Sequence, residues 1–141
     1  MKLSAEDAFR LYRDRVFSAA FSVTGNQADA DDAVQDTYLR YCSYGKEFAD
    51  EDHLRAWLLR VAINCARDQK RSFWEKHRVS WEDYMETLSF EAPEDKSLFE
   101  AVMSLPAKYR TVIHLFYYED YSVARIAEIL HTRAGTVKSQ L

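Results

Sequence analysis

The stretch from residue 54 to residue 65 has the sequence LRAWLLRVAINC, and its apolar side chains recur every three or four positions. This spacing places them on one face of an α-helix, where they can be buried together. The apolar stripe consists of Leu54, Trp57, Leu58, Val61, Ala62 and Cys65. The pattern predicts a helix from about Asp52 to Trp74, and the second half of this helix is basic.

Two further helices are predicted upstream of this stretch. The first runs over about Ser4–Val23, where Ser4 can cap its start and Thr24-Gly25-Asn26 ends it. The second runs over about Gln27–Ser43, and residues 44–50 form a loop. The chain of 141 residues contains three glycines and two prolines, too few for a β protein rich in tight turns. An all-α fold is therefore predicted.

The character of the chain changes after this third helix. Residues 81–100 carry seven acidic side chains and one basic one, without a clear apolar period. Such a segment is typical of a linker. We therefore predict two small helical domains, at residues 1–78 and 97–141, joined by an acidic linker at residues 79–96.

The end of the chain has the pattern of a helix-turn-helix. Helices are predicted at about Glu94–Met103, from Pro106 through Tyr118, and from Ser122 onward; the turn His131-Thr132-Arg133 then leads into a last helix that begins at residue 134. Val137 and Leu141 share a face that can pack inward, which leaves neighbouring polar side chains free to reach DNA. An ordinary helical hairpin in a bundle is the alternative. The outward candidates are Thr136, Lys138, Ser139 and Gln140.

Net charge is −4, but the charge is unevenly distributed. Residues 51–80 carry seven basic and four acidic side chains, and residues 101–141 carry five and three. Binding to phosphates requires a local positive face rather than a positive total. In the third predicted helix, cations lie among aromatic residues that offer stacking surface, although a solvated basic face would give the same composition.

Four aspartates lie within eight residues near the start of the second helix: Asp29, Asp31, Asp32 and Asp36. Acidic residues at this position favour the helix dipole, which by itself explains them. They also form a negative face that could dock a basic partner. The residues alone leave both interpretations open.

Several classes of function are disfavoured. Cys42 and Cys65 are far apart and lack metal-ligand spacing, so reduced thiols are expected and neither a disulfide nor a metal site. The four histidines form no catalytic motif, and no glycine-rich phosphate loop occurs. No signal core or membrane-spanning run is present. We expect a cytoplasmic protein without cofactor or small-molecule substrate, and not an enzyme; a helical hydrolase built on the aspartates is a poor alternative.

In their order along the chain, these features resemble the sigma factors of the extracytoplasmic-function (ECF) group, bacterial proteins that direct RNA polymerase to promoters. Residues 29–39 resemble the segment that docks on the β′ coiled coil of RNA polymerase. By resemblance, the polymerase-binding residues are Asp32, Gln35, Asp36, Leu39 and Arg40. The implied partners are core RNA polymerase (through its β′ coiled coil and β flap), promoter DNA and an anti-sigma factor.

The other two features resemble the DNA-reading parts of the same family. Residues 54–71 resemble the helix that recognises and melts the −10 element, which implies DNA contacts by Arg55, Trp57, Asn64, Arg67, Asp68, Lys70 and Arg71. The loop at residues 44–53 lies where the family captures a flipped base. Residues 105–141 resemble the −35 reading domain, which implies DNA contacts by Arg133, Thr136, Lys138, Ser139 and Gln140.

The chain departs from the family pattern at the turn of the helix-turn-helix. His131 stands where glycine is frequent, Arg133 where a serine cap is frequent, and Gln140 where arginine is frequent. His tolerates a positive φ better than most residues, but Arg is a poor N-cap. Two alternatives therefore stay open: a sigma mimic that sequesters a protein partner, and a stand-alone helix-turn-helix regulator.

Overall fold

A computed structural model describes the backbone of residues 3–73 and 93–141, and the side chains of residues 3–69 and 97–141. Every element in these ranges is helical, which confirms the all-α prediction. The helices are α1 Ala5–Thr24, α2 Gln27–Ser43, α3 Glu51–Phe73, α4 Pro93–Met103, α5 Ala107–Ile113, α6 Val123–Leu130 and α7 Ala134–Gln140. Helix α5 continues without a break into a π-helical turn, His114–Tyr118.

Local chemistry accounts for the ends of the first three helices. The Ser4 side chain accepts a hydrogen bond from the backbone N–H of Asp7 at 3.1 Å, as predicted. Gly25 ends α1 in the left-handed conformation, at φ 71°, and the Asn26 side chain then caps α2. The Asp50 carboxylate caps α3 by accepting from the His53 N–H at 2.8 Å. Each side-chain cap satisfies a backbone donor that has no partner within its helix.

Helices α1, α2 and α3 enclose a buried cluster of their own. Its larger members come from all three helices and from the loop before α3, and they are Tyr12, Val16, Val34, Tyr38, Tyr41, Phe48, Leu54 and Leu58. The predicted stripe of α3 supplies Leu54, Leu58 and Ala62 to this cluster. Burial of each such aliphatic side chain contributes roughly 1.5–3 kcal/mol to folding.

A second buried cluster combines residues from both halves of the chain. Helices α1–α3 contribute Ala19, Phe21, Val23, Leu59 and Ile63, and the C-terminal helices contribute Met103, Val112, Leu115, Ile126 and Val137. The two regions predicted as separate domains thus pack against each other. The predicted linker lies largely in residues 74–92, outside the described residues, and its last residues, from Pro93 on, belong to helix α4.

Arg110 of α5 makes the densest polar contact between the two halves. Its guanidinium donates to the carbonyl oxygens of Ser22 at 2.9 Å and Val23 at 3.1 Å, at the C-terminal end of α1. It also donates to the carbonyl of Leu105 at 2.9 Å. The last turn of α1 has no basic residue of its own. A side chain from the other half therefore satisfies the carbonyls that this helix end leaves unpaired.

Candidate nucleic-acid interface

The outer face of α2 carries the predicted polymerase-binding residues. All of them are exposed, while Ala33, Val34, Thr37 and Tyr38 between them are buried. The exposed residues follow helical spacing and so form one continuous face, which we call the α2 face: Asp32, Gln35, Asp36, Leu39 and Arg40. Leu39 of this face is 66% exposed. An exposed apolar side chain beside charged ones, on a helix buried on its other side, is typical of a protein-docking surface.

An open cleft of about 470 Å³ begins where the α2 face meets α3. It is lined by Leu39, Arg40 and Ser43 of α2, by Tyr44, and by Trp57 and Val61 of α3. The Trp57 ring is half-buried, with its centroid 4.8 Å from that of Tyr44 and 5.6 Å from that of Phe48. Tyr44 and Phe48 of the loop were not identified as candidate site residues from the sequence. The presence of three aromatic residues in and just after the predicted loop is a signal that could have identified them.

Three of the residues predicted to read the −10 element continue from this cleft along α3. Trp57, Asn64 and Asp68 are spaced seven and four residues apart and therefore lie on one face, which we call the α3 face. Asn64, Arg67 and Asp68 are exposed, with Arg67 at the side of this face. The backbone of Lys70 and Arg71 continues the same helix, and their side chains lie outside the described residues.

Arg55 lies apart from the other predicted −10 residues. Two residues before Trp57, it is on nearly the opposite side of α3. Its Nε donates to the Tyr121 hydroxyl at 2.9 Å, and its guanidinium lies 4.8 Å from the centroid of the Tyr121 ring. Its Nη2 is 3.2 Å from Asp52 Oδ1. The structure therefore groups Arg55 with the C-terminal half and not with the cleft.

The helix-turn-helix at the chain end consists of α6, a three-residue turn and α7. Ser122 caps α6 by accepting from the Arg125 N–H at 3.1 Å. His131 takes the left-handed conformation at φ 52°, and the Thr132 N–H reaches back to the Ala127 carbonyl at 2.9 Å. This hydrogen bond closes a Schellman turn, usually made with glycine. Arg133 begins α7 without a side-chain cap, as the comparison with the family pattern predicts.

One side of α7 is buried and the rest of its surface is exposed. Val137 is fully buried, as predicted, whereas Leu141 is 44% exposed, so the prediction that both pack inward is wrong for Leu141. The physical reason is that Leu141 lies past the end of α7, beyond the surface that α6 covers. Of the predicted −35 residues, Arg133, Thr136, Lys138 and Ser139 are exposed and Gln140 is partly exposed.

A buried acid in the C-terminal half was not found by reasoning from the sequence. The Glu119 carboxylate is 1% exposed and lies 4.0 Å from both Arg15 of α1 and His114. Within the described part of the chain, neither of its oxygens has a hydrogen-bond donor. Burial raises the pKa of Glu119 and lowers that of His114 to about 4. The sequence signal that could have found this buried acid is the position of Glu119 directly after the apolar run at residues 112–118.

The described residues contain no cluster of three or more His, Cys, Asp or Glu side chains that could bind a metal ion. Cys42 is exposed, and Cys65 is buried, where desolvation raises the pKa of its thiol. Among the described helices, none is both long enough and apolar enough to span a bilayer.

Comparisons with known proteins match both halves of this chain. The family model of Sigma-70 region 2 matches residues 8–75, and that of Sigma-70 region 4 matches residues 95–141. Among curated relatives, the ECF RNA polymerase sigma factor SigL of Mycobacterium tuberculosis is 35% identical over 130 residues, which cover 86% of this chain and 73% of SigL. The RNA polymerase sigma factor SigV of Bacillus subtilis is 33% identical, with coverage of 92% and 80%.

The fold is also similar to that of a solved sigma factor. The chain superposes with a TM-score of 0.68 on RpoE of Bartonella quintana, from its co-crystal structure with the anti-sigma factor NepR. Sequence identity is 22%, and the match covers 96% of this chain and 88% of RpoE. The chain belongs to the ECF RNA polymerase sigma factors, with region 2 in α1–α3 and region 4 in α4–α7. Proteins of this family direct promoter-specific transcription initiation by RNA polymerase, and that is the function of this chain.

Proposed function

We propose that the chain divides this function among three surfaces: the α2 face binds core polymerase, the α3 face captures the −10 element, and α7 reads the −35 element. The observation that carries the proposal is that all three surfaces have the same arrangement of exposed and buried side chains. Each surface presents exposed polar side chains, such as Asp36, Asn64 and Lys138, on a helix whose opposite side is buried. Side chains on a rigid helix keep their spacing when a partner binds, which lowers the entropic cost of recognition.

The α2 face supports binding of polymerase through its charge and its exposed leucine. Asp32 and Asp36 are one helical turn apart and attract a basic partner, and Leu39 offers apolar surface beside them. The contact proposed for this face is the β′ coiled coil of core polymerase. The β flap is the contact proposed for the C-terminal half.

The cleft beside Trp57 supports capture of a single-stranded base. An aromatic side chain that is half-exposed at the edge of an open cleft offers a stacking surface to a base extruded from the duplex. Asn64 and Asp68, further along α3, have hydrogen-bonding groups that suit base edges. Arg67 supplies positive charge for the phosphates of the melted strand.

The helix-turn-helix supports duplex binding by α7. Thr136, Lys138 and Ser139 project from a helix whose Val137 is fully buried against the rest of the fold. Hydroxyl groups can accept from or donate to base edges in the major groove, and a lysine binds phosphate without reading sequence. Ser139 donates to the backbone carbonyl of Thr136 at 2.9 Å, so its hydroxyl keeps acceptor capacity for DNA.

The proposal extends to location and regulation. We place the chain in the bacterial cytoplasm, where RNA polymerase acts, and assign it no catalytic activity of its own. We also propose an anti-sigma factor as partner, supported by the complex in which the similar RpoE was solved.

Reconstituted transcription tests the proposal: the protein, bacterial core polymerase, and promoter fragments from its genome. The double variant Asp32→Asn/Asp36→Asn is expected to weaken core binding about tenfold, because it removes both negative charges from the α2 face. Asp14→Asn, an exposed carboxylate on α1, is the matched control and is expected to bind as the wild type does. Equal loss in both would point to a general charge effect rather than to the α2 face.

The salt dependence of promoter binding and its preference for promoter sequence distinguish the two DNA-binding surfaces, α7 and the α3 face. Lys138→Ala is expected to weaken binding at all promoters and to lower the salt dependence by about one counterion. Asn64→Ala is expected to relax preference within the −10 element alone, at a cost of roughly 1–3 kcal/mol. Core binding without any promoter-specific transcript would contradict the proposal and favour the sigma-mimic alternative.

A further inference from the structure

A cavity of about 470 Å³ lies between α1 and the C-terminal helices. Its lining includes no residue of the α2 face, the α3 face or α7. The apolar part of the lining comes from α1, α4 and α5, and its members include Phe17, Phe21, Phe99, Val102 and Ile113. Protein interiors are normally close-packed, and a cavity of this volume is within the range of small-molecule sites. The cavity therefore has room for a small organic molecule.

Exposed apolar side chains mark the rim of the cavity. Leu98 of α4 and Tyr117 and Tyr118 of the π-helical turn all line it, and they are 66%, 69% and 62% exposed. Large apolar side chains exposed together at a concave site are typical of a ligand-binding surface. A bound molecule would remove this apolar surface from water, which is favourable.

The π-helical turn forms one wall of the cavity. His114, Tyr117 and Tyr118, three of its five residues, are in the lining. The rings of His114 and Tyr118 are stacked, with centroids 4.9 Å apart and an interplanar angle of 22°. Turns of π-helix are rare in proteins and recur at functional sites. The turn is thus a second observation, besides the cavity volume, that favours a binding role for this region.

The lining favours a neutral ligand. Among the described residues that line the cavity, Arg110 carries the only permanent charge, and its guanidinium already donates to four backbone carbonyls. Burial lowers the pKa of His114 to about 4, so its imidazole is neutral at physiological pH. A charged ligand would lose its hydration without gaining a free opposite charge, which is costly.

Ser18 offers a polar group at this site. Its side chain is partly buried and lines the cavity, and within the described residues its hydroxyl has no hydrogen-bond partner. The Ser22 hydroxyl, by contrast, is bonded to the Ala19 carbonyl at 2.6 Å and to the Thr111 hydroxyl at 3.2 Å. A serine hydroxyl can donate one hydrogen bond and accept others. Ser18 can therefore bind an oxygen atom of a ligand that otherwise contacts apolar side chains.

We propose that this cavity binds a neutral small molecule with a largely apolar body and one hydrogen-bonding oxygen. The body covers the apolar lining and packs against its aromatic rings, and the oxygen bonds to Ser18. Aryl and alkyl bodies share this chemistry. Because the lining comes from both halves of the chain, a bound molecule stabilises their packing. The site is separate from the three surfaces of the proposed function and does not depend on their roles.

A titration of the full-length chain with neutral alcohols tests the proposal. The aryl probe is 2-naphthol, and the alkyl probe is 1-octanol. The methyl NMR signals of Val102, Met103 and Ile113 are expected to shift saturably with at least one probe, and the tighter probe identifies the body of the ligand. The methyl signals of Leu58, in the core of the region 2 part, are the internal control and are expected not to shift. No saturable shift with either probe would overturn the proposal.

A substitution that fills the cavity tests the location of the site. Val102→Phe places a ring in the cavity and is expected to weaken binding of the probe at least tenfold, because the ring and the probe cannot occupy the same space. Val123→Phe, at a partly buried valine of α6 outside the lining, is the matched control and is expected to bind as the wild type does. Circular dichroism reports whether each variant is folded. Equal affinity in Val102→Phe and the wild type would contradict binding in this cavity.

The assigned ligand chemistry is tested by charge and by the hydrogen bond. 2-Naphthoate and octanoate are the anionic counterparts of the two probes and are expected to bind at least tenfold more weakly. Ser18→Ala is expected to weaken binding of the neutral probe about threefold to tenfold, because one hydrogen bond is lost. Equal binding of neutral and anionic compounds, or an unchanged affinity in Ser18→Ala, would contradict the proposed ligand class.

A second copy of the chain is the alternative occupant of the cavity. Sedimentation at increasing protein concentration distinguishes the two, and a monomer that binds the probe supports the proposal. A dimer that Val102→Phe abolishes, without binding of either probe, would assign the cavity to self-association and overturn the proposal. These measurements need no polymerase, so a failure of the proposed function in reconstituted transcription would leave their outcome unchanged.

Discussion

The region 2 part and the region 4 part of this sigma factor bury their apolar residues in different ways. Helices α1–α3 enclose a cluster to which no residue of the described C-terminal half contributes. The buried residues of the helix-turn-helix, among them Ile126 and Val137, all belong to the cluster shared with α1 and α3. Long helices can bury a core among themselves, whereas helices of seven or eight residues cannot, so the short ones depend on docking.

The largest expected effect tests the core of the region 2 part. Leu58→Ala removes a fully buried side chain from α3 and is expected to lower the free energy of unfolding by about 3 kcal/mol, because it leaves a cavity. Urea denaturation followed by circular dichroism measures the loss. Leu39→Ala, on the exposed α2 face, is the matched control and is expected to change stability by less than about 0.5 kcal/mol. Similar losses in both variants would contradict the assignment of the two faces.

The second prediction concerns pH and the interface between the halves. Burial lowers the pKa of His114 from 6.5 to about 4, so below pH 6.5 the unfolded state binds more protons than the folded state. Above pH 6.5, His114 is neutral in both states and its burial causes no loss of stability. The free energy of unfolding is expected to fall as the pH drops from 6.5 to 4. The contribution lost is about 3 kcal/mol at the lower limit.

The variant His114→Gln isolates this contribution, since it cannot titrate. The raised pKa of Glu119 acts in the opposite direction over part of the same range, so the measurement is the difference between wild type and variant. Across several pH values between 4 and 7, the unfolding midpoint of the wild type is expected to fall relative to that of the variant as the pH drops. A constant difference across this range would contradict a buried neutral histidine.

The third prediction weakens the attachment of the region 4 part. Arg110→Met keeps most of the side-chain volume but leaves the carbonyls of Ser22 and Val23 without their donor, at a cost of about 2 kcal/mol. The C-terminal half is expected to melt before the region 2 part, which would separate one thermal transition into two. Arg13→Met, an exposed arginine of α1, is the control. A single transition at an unchanged temperature would mean that the shared cluster alone holds the halves together.

The smallest expected effect concerns the turn of the helix-turn-helix. His131→Gly relieves the positive φ of 52° and is expected to stabilise the protein by about 0.5–1 kcal/mol. His131→Ala keeps the Cβ atom and is expected to give no such gain. Thermal unfolding at neutral pH distinguishes the two variants. A gain from alanine equal to that from glycine would show that the imidazole, and not the backbone, is the source of the strain.

How much the sequence could predict differs between helices and contacts. The positions of the helices were predictable within a few residues, because the apolar period and the capping residues are local signals. The capping residues are Ser4, Asn26 and Ser122. The π-helical turn after Ile113 was not, since nothing in the residues marks where one extra residue enters a helical turn. The left-handed conformation of His131 could be predicted from the sequence, because this residue stands at the turn position where glycine is usual.

The candidate site was predictable where it depends on a single helix. The α2 face and the exposed residues of α7 follow from helical spacing, and the structure brings each set together on one surface. Arg55 is the exception. The spacing within α3 separates it from Trp57, but only contact with Tyr121 gives it a partner.

By itself, the sequence determined the helices, their caps and the surfaces on which polar side chains collect, because all of these depend on neighbours three or four residues apart. The order of these features along the chain indicated the family. The tertiary structure alone decided that the two halves share a buried cluster, that Glu119 is enclosed, and that Asp52 and Arg125 meet. Those contacts join residues that are far apart along the chain. Their free energy depends on the packing of several elements at once, which no local pattern encodes.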